Sequence, residues 1–453
     1  MSTFYGDEVS AIVLDIGSNW TRAGYAGEDT PKLVFPTSYG FLPEENVEND
    51  GDIVMGENSN ANLGESEGDP YYPKRKKRPK KRRGSYIIGD AAVMAWRPSM
   101  EIKNPLVDGT IRDWDALEEI WDYIFWEDQL DIDPKEHPLF VTEAAWNTRE
   151  IREKLTEIAF EKYQTLAFYI AKNPVLSAFA AGRPTAIVLD CGASSTSCVP
   201  VVDGYVLKKG IHKQPIAGDF LSEYLLQQIQ SNPQISVIPH YLISKKFIVD
   251  ADKPSNPILR DRPNTTESYN KFMQMRVMHE FKESVCQVFE TTYDELVISA
   301  RPMKTFEFPD GYNTSFGPLR FNAPEILFSP QKFLPQSSLE GIDVSSLYGV
   351  HEMICNSVGS CDIDSQPHLL NNIILTGGTT LLPGFTDRVN YELSMMRPGS
   401  KIKIHAPGNT IERKCSSWLG GSILASLGTF HQLWISRKEY DDYGKSIVEK
   451  KCE

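Results

Sequence analysis

Ile187-Val188-Leu189-Asp190-Cys191-Gly192-Ala193-Ser194-Ser195-Thr196 repeats the plan of Ile12-Val13-Leu14-Asp15-Ile16-Gly17-Ser18-Asn19-Trp20-Thr21. In each, a run of β-branched and leucine residues suits a buried strand, an aspartate follows, and a glycine two places on lets the backbone turn sharply. One such segment is a weak signal, because ordinary strand-to-turn junctions use the same residues for geometry alone. Two copies, each followed by a second short β-rich segment, predict two related α/β halves with a ligand site between them. The turn residues suggest the ligand. Glycine leaves its amide free to face a phosphate oxygen, and Asp15 with Asp190 would hold a hydrated divalent cation that offsets polyphosphate charge.

A third turn supports this reading. Asn372-Ile373-Ile374-Leu375-Thr376-Gly377-Gly378-Thr379-Thr380 is an apolar strand broken by two glycines, ahead of a helix expected over 385–396. Adjacent glycines at a strand end clear room for a flat group against the backbone, although a tight strand-to-helix turn uses them equally well.

The remaining chain fits an alternating α/β architecture. Arg22 to Asp29 reads as a return strand. Residues 114–125 carry apolar side chains at helical spacing behind the N-cap Asp113, and 138–143 is a short buried strand. Residues 148–163 read as a helix opening on a capping box, with Ile151, Leu155, Ile158 and Ala159 on one face. Residues 219–230 and 267–289 read as helices, and 292–328 as paired strands around Pro309-Asp310-Gly311. The stretch 231–267, with prolines at 233, 239, 254, 257 and 263, reads as an insertion with little regular structure.

At 453 residues the chain exceeds one ordinary core, and about 150 residues per unit gives roughly three. No apolar run approaches the ~18 residues that cross a bilayer, and the acidic start differs from a basic signal peptide, so an intracellular protein is expected. Seven cysteines without a paired spacing read as reduced core thiols, not as a zinc site. A net charge of −14 argues against general affinity for nucleic acid or anionic membrane. Residues 41–73 contain nine acids and no base, and Lys74-Arg75-Lys76-Lys77-Arg78-Pro79-Lys80-Lys81-Arg82-Arg83 follows. Neither block can bury much, so 41–85 reads as a mobile surface insertion. The basic run is dense enough for a nuclear import signal; contact with nucleosomal DNA and pairing with the neighbouring acids are the alternatives.

With these segments together, the chain resembles the actin family. Asp15-Ile16-Gly17-Ser18 resembles its first phosphate loop, Asp190-Cys191-Gly192 its second, and Leu375-Thr376-Gly377-Gly378-Thr379-Thr380 its adenosine motif. Ser417-Trp418-Leu419-Gly420-Gly421-Ser422-Ile423-Leu424-Ala425-Ser426-Leu427 is close to actin almost residue for residue. The resemblance implies an α/β fold of duplicated actin/ribonuclease-H-like domains, forming two lobes and four subdomains around a nucleotide cleft. Their expected bounds are 1–36 with 104–180 and 416–453; 37–103; 181–217 with 339–415; and 218–338. It also implies ATP as the ligand, with magnesium or calcium held through water by Asp15 and Asp190. Nucleotide contacts would fall on Asp15, Gly17, Ser18, Asn19, Arg22, Asp190, Gly192, Ser194, Lys282, Glu283, Gly377, Gly378, Thr379 and Lys414. Arg22 stands where the family has a lysine, replacing a point charge by a planar fork.

Departures matter as much. Asn173 stands where actin has a water-orienting glutamine, Ala193 replaces an aspartate, Ser194 a glycine and Ser197 a histidine that organises the attacking water. Loss of such positioning costs about 10²–10⁴ in rate, so ATP binding with negligible hydrolysis is expected. Asp108 lies where actin carries a histidine near the phosphate exit. The charged insertion replaces a loop that joins actin protomers, so a lone protomer is expected instead of a homopolymer. A filament-forming ATPase is the alternative. A sugar kinase or chaperone-type ATPase would need an aspartate beside the second turn, where Ala193 stands. Glu143-Ala144-Ala145-Trp146-Asn147-Thr148 and Gly359-Ser360-Cys361-Asp362-Ile363-Asp364 look most like the nuclear branch of the family. That implies a structural subunit of histone acetyltransferase and chromatin-remodelling complexes, paired with monomeric actin on a long helix of a scaffold or motor subunit. Direct contact with histones or nucleosomal DNA is left open by the resemblance.

Overall fold

Both glycine-turn segments form β-hairpins. The structure is a computed structural model and describes residues 9–43, 85–126, 128–335 and 343–452. β1 (Ile12–Ile16) turns into antiparallel β2 (Trp20–Tyr25), in a register that sets Asp15 opposite Arg22. β3 (Leu33–Pro36) extends the sheet beyond β2, while β4 (Leu139–Glu143) and then β5 (Ala167–Lys172) lie parallel on the other side of β1. In the second half β6 (Ala186–Cys191) turns into antiparallel β7 (Thr196–Val202), with Asp190 opposite Ser197. β8 (His212–Gln214) flanks β7, and β9 (Ile373–Thr376) then β10 (Ile404–His405) lie parallel beyond β6. Among the described residues each sheet has six strands, five of which (β5-β4-β1-β2-β3 and β10-β9-β6-β7-β8) share their order and their pattern of parallel and antiparallel pairing. The sixth differs: Ile435–Ser436 lies antiparallel to β5 in the first sheet and Tyr205–Val206 antiparallel to β7 in the second. Repetition in sequence is therefore repetition in topology. The apolar runs Ile12–Leu14 and Ile187–Leu189 are buried, as expected of central strands that are covered on both faces.

The helices mostly follow their patterns. α1 (Trp114–Phe125) starts on Asp113, whose carboxylate accepts the Ala116 amide at 3.0 Å. α2 (Arg149–Glu157) is shorter than the predicted 148–163, because the chain widens into a π-turn over Ile158–Lys162. Its capping box does not form: the residue three after Thr148 is Ile151, which has no carboxylate or amide to reach back. Ile151, Leu155, Ile158 and Ala159 nevertheless enter the core. α3 (Asn173–Ala180) and α4 (Gly218–Gln230) follow. α5 (Glu267–Val285) stops before Phe289, because the Gln287 and Val288 amides bond to the Arg320 and Pro383 carbonyls instead of extending the helix. Between 292 and 328 only Lys304–Glu307 and Asn313–Phe316 pair as strands. Glu295–Ser299 is helical, with Asp294 accepting the Leu296 and Val297 amides, and Leu319–Glu325 is helical too. Residues 231–267 hold little beyond the paired two- and three-residue strands Ile258–Leu259 and Ile243–Lys245. α6 (Phe385–Met396) and α7 (Ser416–Ser426) complete the scaffold.

The C-terminal motif is explained by close packing. A Cβ at Gly420 would lie 2.0 Å from the Leu176 carbonyl of α3, and one at Gly421 3.0 Å from the Phe140 and Val13 side chains. Trp418 is buried and donates its indole N–H to the Val13 carbonyl at 3.0 Å. α7 is thus pressed onto α3 and the first sheet. Each sheet has its own core, around Trp121 and Phe168 in the first lobe and Phe281 and Leu375 in the second. All seven cysteines are free thiols. No helix among the described residues is long and apolar enough to cross a membrane. The insertion 41–85 lies, except at its ends, outside the described residues, and so does the basic run 74–83.

Candidate functional site

The two glycine turns are built alike. Gly17 donates its amide to the Trp20 carbonyl at 3.1 Å, and Gly192 donates its amide to the Ser195 carbonyl at 3.2 Å. These bonds correct one expectation, since the glycine amides are used inside the turns and do not stand free. The neighbouring carbonyls are tied back to their own lobes. Gly17 O accepts the Thr37 hydroxyl at 2.6 Å, Ser18 O accepts Asn104 Nδ2 at 2.6 Å, and Asn19 O accepts the Thr37 amide at 2.9 Å. In the second turn, Gly192 O accepts the Gly218 amide at 3.1 Å and the Thr379 hydroxyl at 2.8 Å, while Ala193 O accepts the Asp219 amide at 2.9 Å. The amides of Ser18, Asn19, Ala193 and Ser194 take no backbone bond among the described residues. These are the N–H groups left for an anion.

The aspartates sit at equivalent strand ends but in unequal surroundings. Asp15 is buried, accepts Arg22 Nη1 at 3.0 Å on one oxygen and accepts the Thr142 hydroxyl at 2.6 Å on the other. Arg22 is thereby held on Asp15, with its Nε buried and without a hydrogen-bond partner among the described residues. Asp190 stands between Ser197 on β7 and Thr376 on β9, and its carboxylate makes no hydrogen bond or ion pair among the described residues. Burial, followed by the charge of Asp15, pushes the Asp190 carboxyl up to about 6 against the opposing pull of Arg22. Arg22 offsets only part of the charge of the two carboxylates, and what remains suits a hydrated divalent ion.

On the far side of the second turn, Gly377 has φ +89°, and a Cβ there would lie 2.3 Å from the Cys191 carbonyl and 2.4 Å from Asp190 Oδ1. Only glycine fits this approach. Gly377→Ala is expected to cost about 2–3 kcal/mol from the left-handed backbone and the backbone clash together, read as a lower urea midpoint at unchanged slope. Lys282 is buried on α5 and donates to the Gly218 carbonyl at 2.5 Å and the Ser222 hydroxyl at 2.9 Å, and burial lowers its pKa. Beside it, Glu283 meets Lys414 Nζ at 3.5 Å. A Cβ at Gly378 would stand 3.9 Å from the Lys414 side chain. The fold therefore brings Lys282, Glu283, Gly377, Gly378, Thr379 and Lys414 together from three separate parts of the chain. Sequence reasoning missed Thr37, Asn104, Thr142 and Gly218, which carry no motif of their own. Only the position of Thr142, at the end of a strand next to β1, offered a signal.

Comparison with known proteins agrees with this duplicated geometry: the actin family profile matches residues 6–453. The chain belongs to the actin family. Its two matched sheets form the two-lobed actin fold. It is 38% identical to actin-related protein 4 of Emericella nidulans over 494 residues, covering 99% of this chain and 97% of the relative. Actin-related protein 4 of Arabidopsis thaliana is 39% identical over 450 residues, with 99% of both chains covered. That of Schizosaccharomyces pombe is 38% identical over 474 residues, covering 100% of this chain and 99% of the relative.

The positions that depart from actin now have surroundings. Asn173 opens α3 and lines a cavity of about 30 Å³ with Thr142, Glu143 and Asn147, and its Oδ1 is buried without a hydrogen-bond partner among the described residues. Ala193 brings no functional group to the second turn. Ser197 is buried on β7 beside Asp190. The Ser194 hydroxyl donates to the Ser18 hydroxyl at 2.7 Å, so the tips of the two turns touch. Asp108 pairs with Lys213 at 3.3 Å.

Proposed function

We propose that this actin-family chain is a non-filamentous nuclear protein that holds an adenine nucleotide between its lobes as a brace and turns it over negligibly. The observation that carries this reading is the pair of equivalent turns, each with its carbonyls tied back and two amides (Ser18 and Asn19; Ala193 and Ser194) without a backbone bond among the described residues, flanked by Asp15 and Asp190. ATP with magnesium or calcium is the proposed ligand. The metal would offset the repulsion between the two carboxylates and the phosphates, and the base would lie by Gly377-Gly378, Lys282, Glu283 and Lys414. The protein would then serve histone acetyltransferase and chromatin-remodelling assemblies as a structural subunit, paired with monomeric actin on a long helix of a scaffold or motor. The basic run 74–83, read as a nuclear address, supports this placing. So do Phe179 on α3 and Ile423 on α7, large apolar side chains left exposed on two packed helices, with Leu427 exposed just beyond. Exposed apolar side chains on packed helices suit an amphipathic partner helix.

A second reading, a filament-forming ATPase, draws on the cavity at Asn173, which has room for about one water beside an unsatisfied amide oxygen. One experiment separates the two. Under the first reading, magnesium ATP at about 100 times its Kd raises stability by roughly 2.7 kcal/mol, seen as a higher Tm, with almost no phosphate released and no pellet in salt. Phosphate release at the rate of conventional actin, with a sedimenting polymer, would establish the second.

A further inference from the structure

The two halves of α5 face different partners. Its C-terminal half carries Lys282 and Glu283 and sends Val277, Met278 and Phe281 into the core of the second lobe. Its N-terminal half packs on the first. There the strands Tyr39–Leu42, Ser85–Ile87 and Glu101–Lys103, in the segment after β3, form a small sheet of their own. Leu42 and Met100 of that segment share one buried core with Tyr269 and Met273 of α5 and with Tyr241 from the stretch before it. Hydrogen bonds lock the same junction. The indole of Trp96, itself partly buried against this core, donates to the Thr265 hydroxyl at 2.9 Å, while the Arg262 guanidinium lies 4.5 Å from the centre of its ring. The Ile102 amide donates to the Ser268 hydroxyl at 3.1 Å, the Tyr269 hydroxyl to the Met94 carbonyl at 2.7 Å, and the Ser99 amide to the Asn264 carbonyl at 2.8 Å. Ser99 and Asn264 have φ of 60° and 59°, a conformation that residues other than glycine keep only where the surroundings impose it. A junction built on an apolar core and on bonds between its own halves needs no ligand to bring them together.

We propose that this junction holds the two lobes closed with or without a nucleotide between them, and that a bound nucleotide leaves only when the junction parts, so that Trp96 governs the rate of exchange. The inference rests on the reading of the cleft as an adenine-nucleotide site and adds a gate to it. At 1.5 Å per residue, Tyr269 and Lys282 lie about 20 Å apart along α5, so a change at the junction leaves the base-side groups in place. Release is then limited by a local opening between α5 and residues 94–102, whose population falls with every contact made across it.

The test has two arms on the full-length protein. In the first, the protein is loaded with magnesium and fluorescent etheno-ATP and chased with excess ATP. Trp96→Ala should release the label roughly tenfold faster than wild type, the equivalent of about 1.4 kcal/mol of junction. Trp96→Phe, which keeps an apolar ring and loses the indole donor, should fall between them. In the second arm, hydrogen exchange is read at the Ser99 and Ile102 amides, which donate across the junction. Both should stay protected in the nucleotide-free protein as in the loaded one. A release rate unmoved by Trp96→Ala would overturn the gate and leave the nucleotide reading standing, and so would loss of protection at both amides when the nucleotide is removed. If the wild type binds no nucleotide, the reading of the cleft fails and the gate with it, whereas protected amides would then still uphold the closed junction.

Discussion

Asp15→Ala is expected to destabilise the unliganded protein by about 3–5 kcal/mol and to abolish the rise in Tm with magnesium nucleotide. Asp15 is buried and carries two partners at once, Arg22 Nη1 at 3.0 Å and the Thr142 hydroxyl at 2.6 Å. Burial alone would lower the pKa of Arg22, yet attraction to Asp15 leaves it raised overall. Truncating the acid strands that guanidinium as an uncompensated cation, and this is the expensive way to break a buried pair. Asp15→Asn keeps the shape but not the charge and should fall between the two. Asp190→Asn should act in the opposite sense on the unliganded chain. The folded pKa of Asp190 lies above the ordinary carboxylate value, at about 6, so the folded state binds the extra proton between those two values. The contribution of this group is most favourable below pH 4 and is lost as pH rises through 6. At pH 7 its ionisation is a cost, and removing it should stabilise the apo protein by about 1–2 kcal/mol while still removing the metal-dependent gain. Urea denaturation with and without magnesium nucleotide reads both variants. Equal effects of the two substitutions in the absence of ligand would refute the asymmetry.

The second large effect lies away from the cleft. Arg388 on α6 is buried and grips Glu325 with both terminal nitrogens, at 2.9 and 2.8 Å. It also donates to Glu392 at 2.6 Å and to the Phe289 carbonyl at 3.0 Å. Burial raises the Glu325 pKa, with Arg388 pulling against it, so each charge depends on the other. Arg388→Met alone should cost about 3–5 kcal/mol, whereas the double variant Arg388→Met with Glu325→Leu should recover most of the loss. The urea midpoint is the measure, provided the slope stays constant. Because Arg388 holds the Phe289 carbonyl just beyond α5, the single variant should also weaken nucleotide binding through Lys282 and Glu283. A double variant as unstable as the single one would show that packing, not charge, is at stake.

Much of the site was legible as sequence. Asp15-Ile16-Gly17 and Asp190-Cys191-Gly192 announced their hairpins because a buried apolar run ending at an acid and a glycine has few other uses when it occurs twice. Gly377-Gly378 stood out for a similar reason, and the structure shows why glycine is required at Gly377. Helix lengths were read less well. The pattern through 148–163 and 267–289 stayed apolar at helical spacing while the backbone left the α-helix, in the first case through a π-turn and in the second because Arg320 and Pro383 offered competing carbonyls. Thr37 and Asn104 were invisible, since each acts through one hydrogen-bonding group that reaches a turn distant in the chain.

What the sequence determined by itself was the family, the duplicated α/β plan and the identity of the residues at the two turns, because burial patterns and glycine conformations are local and leave a local trace. What only the tertiary structure decided was how those residues are engaged: that the glycine amides are used within their own turns, that Arg22 lies on Asp15 while Asp190 stands between Ser197 and Thr376, and that Ser18 and Ser194 meet. Those outcomes depend on strand register and on the approach of one lobe to the other, and both are set by packing between segments far apart in the chain.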